Sequence, residues 1–89
     1  MTKTVHSALS RIFREHIIAL RQNANMTQRD LAKALKRDRG LVARIELGER
    51  RVDFVELHEV FLALGADPET EAAALMRKFN EAVVTTKRK

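Results

Sequence analysis

Apolar residues recur at intervals of three and four along almost the whole chain, and this spacing most limits what the chain can fold into. Val5, Leu9, Ile12, Phe13, Ile17 and Leu20 make the first stripe. Leu31, Ala32 and Leu35 make a short second, and Val42 and Ile45 a third. Phe54, Leu57, Val60, Phe61 and Leu64 form a fourth; Ala72, Leu75, Met76, Phe79, Ala82 and Val83 form a fifth. Each stripe covers one face of an α-helix. With one proline and three glycines, the chain lacks the turn residues that an all-β fold needs. The expectation is an all-α fold of five helices and no strand.

The punctuation agrees with this reading. Asn23 and Asn25 suit the left-handed turn that closes a helix. Thr27 and Asp38 are N-cap residues for the second and third helices, and Gly48 is a C-terminal stop. Asp53 with Glu56 reads as a capping box for the fourth helix, which Gly65 closes. Asp67 and Pro68 cap and open the fifth. Residues 1–84 are expected to form one domain, with a C-terminal helix over about 67–84 available for dimerisation. Residues 85–89 are expected to be a loose basic tail.

Composition narrows the class. A chain of 89 residues buries only about 60–65% of its unfolded surface, so dimerisation would help it. The absence of cysteine excludes a disulfide scaffold and a cysteine-based zinc site. No apolar run is long enough to span a membrane or to form a secretion signal, so a soluble cytoplasmic protein is expected. The net charge of +5 is unevenly placed. Residues 27–51 hold eight basic against four acidic groups, whereas residues 52–84 hold two basic against seven acidic. A cationic segment attracts polyanions, because each phosphate it neutralises releases a counterion.

Two short helices joined by a tight turn, with basic residues across the second, fit a helix-turn-helix, which lays its second helix in the major groove. Residues 20–50, LRQNANMTQRDLAKALKRDRGLVARIELGER, resemble the lambda-repressor and Cro-like (XRE) family. The matching elements are Leu20-Arg21, Thr27-Gln28, Leu31-Ala32, Val42, Arg44-Ile45-Glu46, Gly48 and Arg50, continued by Leu57, Leu64 and Gly65. The resemblance implies a five-helix bundle in which helices 2 and 3 form the DNA-binding unit. It implies base contacts from Arg39, Gly40, Leu41 and Arg44. It implies phosphate contacts from Gln28, beside Thr27, and from Arg50 and Arg51. It also implies a buried ion pair between Arg21 and Glu46.

The chemistry of these residues supports such roles. Arginine can donate two bonds at once to guanine O6 and N7, and Leu41 could meet a thymine methyl. Gly40 weakens a helix by about 1 kcal/mol relative to alanine, a cost that close approach to a groove would justify. Gln28 sits where free amides at a helix start can hold a phosphate. Duller roles stand beside these: Arg39 as a phosphate contact, Arg44 as the partner of a nearby acid, Leu41 as packing. The family's inter-helix turn usually carries glycine then an apolar residue, whereas this chain has Lys36 then Arg37. Left-handed lysine costs about 1–2 kcal/mol, so a remodelled turn is expected, with Arg37 outward as a further phosphate contact.

His6, His16 and His58 lack metal-ligand spacing and are assigned to solvent or the core edge. No nucleophile constellation or phosphate loop occurs, so neither catalysis nor a cofactor is expected. The absence of Trp and Tyr argues against single-stranded nucleic acid. The fifth stripe, through Leu75, Met76, Phe79 and Val83, and with Phe61 beside it, offers a homodimer interface. The reading is therefore a small dimeric repressor of bacterial, phage or plasmid origin that binds double-stranded DNA at a palindromic operator. The alternative is an antitoxin or other interaction module whose main partner is a protein such as a toxin.

Overall fold

The computed structural model describes the backbone of residues 2–87 and the side chains of residues 7–84. Among these residues the elements are α1 (Thr2–Asn23), α2 (Gln28–Leu35), α3 (Arg39–Leu47), α4 (Phe54–Ala63) and α5 (Pro68–Lys87), with no strand. The five expected helices are present. The side chains of Val5 and His6, and those of 85–89, lie outside the described residues.

The caps explain the boundaries. Thr27 and Asp30 form a reciprocal capping box: Thr27 Oγ1 accepts from the Asp30 amide at 3.0 Å, and Asp30 accepts from the Thr27 amide at 2.8 Å. Asp38 accepts from the Gly40 amide at 2.8 Å, and Asp67 from the Thr70 amide at 3.0 Å. Asp53 accepts from the Glu56 amide at 2.7 Å, but the Glu56 carboxylate is bound to Arg50 instead of closing a capping box. Gly48 ends α3 at φ 83, and a Cβ there would lie 3.1 Å from Cδ and Nε of Arg14. Glycine is thus required twice, for its dihedral and for the arginine laid over the α3 C-terminus, where a cation suits the helix dipole.

The core joins Ile17 of α1, Leu31 and Ala32 of α2, Val42 of α3, and Leu57, Val60, Phe61 and Leu64 from α4 and its end. Leu75 of α5 is also buried, at 1% exposure. Helices α1 and α5 pack together around His16, which is buried and edge-on to Phe61. Its Nδ1 lies 2.9 Å from the Lys78 ammonium, which can only donate. Nε2 therefore carries the hydrogen and donates to Glu71 at 2.9 Å.

Four expectations change. The α2–α3 turn is not remodelled: Lys36 takes the left-handed conformation, φ 59 and ψ 41, while its amide and that of Arg37 close α2. Phe61 and Leu75 are filled into the protein's own core, so neither is free for a dimer contact. Phe54 is 77% exposed despite its helical register, because it lies a turn before the buried face of α4. Residues 85–87 continue α5, since no glycine or proline stops the helix there. Lys36→Gly should raise stability by roughly 0.5–1 kcal/mol, the strain removed less the entropy glycine adds to the unfolded chain. Urea unfolding checks this; an unchanged or lower midpoint would contradict it.

Candidate nucleic-acid interface

Helix α3 is nine residues long and presents two unlike faces. Leu41, Val42 and Ile45 are buried, while Arg39, Arg44 and Leu47 are exposed, with Gly40 and Ala43 half-buried between them. Leu41 corrects the sequence reading. At 5% exposure its side chain is spent on packing and cannot meet a base. The buried arc is wide because α1 and α2 both pack against this short helix.

Both arginines serve the same end of α3. Helical side chains lean toward the N-terminus, and Arg44 does so over Gly40, where a Cβ would lie 3.0 Å from Arg44 Nη1 and 3.2 Å from Asp38 Oδ1. Gly40 therefore leaves room for the Arg44 guanidinium beside the start of the helix, where Arg39 also stands. Ala43, on the same face, keeps the surface low between them. The sequence analysis gave Ala43 no role; its small size was the only available signal.

Beneath this face lies a polar anchor. Glu46 of α3 accepts from Arg21 of α1, Oε2 from Nε at 2.6 Å and Oε1 from Nη2 at 3.0 Å. Gln28, the first residue of α2, donates to the same Oε1 at 2.8 Å. Arg21 Nη1 also donates to the Met26 carbonyl at 2.8 Å, so the loop before α2 is held as well. The Arg21 and Glu46 side chains are 13% and 6% exposed. One carboxylate thus locks three helices together, and the amide of Gln28 is directed inward as well as standing at the start of α2.

The remaining expected phosphate contacts surround α3. Thr27 uses its hydroxyl as the α2 cap. Arg37 is outward and 44% exposed, with Nη2 3.5 Å from Glu56 Oε2. Arg50 is not a loose surface cation: it binds Glu56 through Nη1 at 2.7 Å and Nη2 at 3.0 Å. Arg51 is exposed in the same loop. The Arg50 guanidinium holds the Glu56 carboxyl below the usual glutamate range, against the opposing effect of burial. The contribution of this pair to stability is therefore complete above that range and is lost as pH falls through the lowered value.

Among the described residues, no group of three or more His, Cys, Asp or Glu could hold a metal, and no helix is long and apolar enough to cross a membrane. A compact helical body that carries a capped, cationic α3 on its surface, with α2 braced behind it, defines a helix-turn-helix domain. The family model of that name matches residues 7–75. Among solved structures, an XRE-family like protein from Pseudomonas syringae pv. tomato str. DC3000 is similar at 31% identity, over 86% of this chain and 94% of its own, with a TM-score of 0.80. No curated protein matches. The chain belongs to the XRE family of helix-turn-helix proteins, a DNA-binding and typically non-enzymatic family of transcriptional-regulator type.

Glu46→Ala should cost about 3–5 kcal/mol, because it strands the Arg21 guanidinium in a nearly closed site. Urea unfolding monitored by circular dichroism checks this. A loss below about 1 kcal/mol would mean that the pair is solvated and does not anchor α3.

Proposed function

We propose that this protein is a small dimeric repressor that recognises a palindromic operator in double-stranded DNA through the major groove. The observation that carries the reading is the outer face of α3, where Arg39 and Arg44 are exposed together at the end nearer the turn. Their guanidinium groups are the base readers, each able to grip a guanine edge, with Gly40 and Ala43 allowing the helix close to the groove. The start of α2 at Thr27 and Gln28, and the cation Arg51 after α3, supply backbone contacts that set register without reading sequence, while Arg37 and Arg50, expected in the same role, are engaged by Glu56.

Two copies would place two α3 helices about 34–36 Å apart on one face of the duplex. The fold leaves apolar side chains for such an interface. Phe54 and Val55 of α4 are 77% and 71% exposed, and Met76 of α5 is 47% exposed. Phe79 and Val83 of the expected stripe are half-buried, so Met76 is its most accessible member. The dimer contact is accordingly assigned to Phe54, Val55 and Met76, with the repressor's occupancy set by its own concentration.

Duplexes selected from random sequences test this reading. Arg39→Ala and Arg44→Ala should each lose about 1–3 kcal/mol of preference for the selected site over a scrambled one. Arg51→Ala should weaken both duplexes alike and reduce the salt slope by about 0.9. Two chains should bind each selected duplex, and Phe54→Glu should lower that stoichiometry. Identical behaviour of the three arginine variants, or one chain per palindrome, would contradict the proposal.

A further inference from the structure

Glu56 lies off the exposed face of α3, yet it meets the chain on both sides of that helix. Arg37 belongs to the turn that leads into α3, and Arg50 to the loop that leaves it. Both guanidinium groups converge on this one carboxylate in the first turn of α4: Arg50 by a bidentate pair at 2.7 and 3.0 Å, Arg37 at 3.5 Å. The carboxylate is 13% exposed, and its own backbone amide is fixed by Asp53 at 2.7 Å. Arg50 Nη1 also donates to the Arg51 carbonyl, at 2.5 Å, which folds the loop onto the same point. Paired bonds to a carboxylate set orientation as well as distance, since both groups are planar.

We infer that Glu56 is a positioning residue for the recognition helix, acting through Arg37 and Arg50 to fix the tilt at which α3 meets DNA. The inference rests on the DNA-binding reading above. The Glu46 anchor ties the inner side of α3 to α1 and α2. Glu56 adds a second tie, from the segments before and after α3 to α4. Readers on a short helix must be held within about 0.5 Å and 10–20° to keep their contacts, and that precision comes from the groups behind them. The same carboxylate draws both guanidinium groups away from phosphate and offsets one of their two charges. It therefore favours discrimination over bare affinity.

Glu56→Gln keeps the side-chain shape and removes the charge. The full chain, bound to a duplex selected by the wild type and to its scrambled counterpart over a range of salt, gives two readouts. Affinity for the scrambled duplex should rise, and its salt slope should steepen by about 0.9 for each arginine released. Preference for the selected duplex should fall by about tenfold, as expected when one bidentate reader is misplaced. A merely structural role would lower both affinities together, in step with the folded fraction. Should Glu56→Gln fail to fold, Glu56→Asp carries the test: it keeps the charge but is too short to serve both arginines, so preference should fall and the salt slope should steepen by about 0.9 for the one arginine released. Wild-type discrimination that the folded variant retains in full, with the same slope, would overturn this inference alone. Failure of the wild type to bind any duplex would overturn it together with the function proposed above.

Discussion

The arrangement depends on one carboxylate. Glu46 is buried under α3 and takes hydrogen bonds from Arg21 of α1 and Gln28 of α2. A pair of this kind is weak evidence for stability as such, since a well-packed apolar set could fill the same space. Its consequence is geometric. Directional bonds fix the rotation of α3 about its own axis, whereas apolar packing by Val42 and Ile45 alone would tolerate small rotations. The outward direction of Arg39 and Arg44 follows from what Glu46 holds on the opposite side.

A division of labour along the chain follows. The cationic segment 27–51 contains α2, α3 and the loop after α3, and all its basic residues except Arg50 are exposed. The acidic segment 52–84 supplies the frame, and three of its charged groups are committed to bracing the rest. Glu56 receives Arg50 and Arg37, while Glu71 and Lys78 take the two ring nitrogens of His16 across the α1–α5 contact. The charge asymmetry of the sequence is thus resolved into a surface for polyanions and a scaffold that organises it.

Much of this was legible in the sequence because it is local. Thr27, Asp38, Asp53 and Asp67 cap the helices they were expected to cap, since a side chain that satisfies a free amide two or three residues on needs no tertiary information. The Arg21–Glu46 pair came from family resemblance and not from spacing; its partners lie 25 residues apart. What the sequence hid is tertiary. Leu41 sits at the margin between the two faces of α3, and its burial is decided only by packing against the rest of the fold. The pairing of Glu56 with Arg50 crosses a loop, and the partners of His16 lie 55 and 62 residues away. Lys36 defeats the local rule because the turn between α2 and α3 is held at both ends by capped, packed helices. They can sustain about 1–2 kcal/mol of strain at one residue.

The central claim is that the N-terminal half of α3 is the surface that enters a DNA groove. Amide chemical-shift mapping of the protein titrated with a selected duplex tests it most directly. The account predicts that the largest perturbations fall on residues 39, 40, 43 and 44, with a second set at 27–29 and in the 49–52 loop, and that any at the dimer contact around residues 54, 55 and 76 are smaller. Perturbations centred on α4 and α5 with α3 unmoved would contradict it.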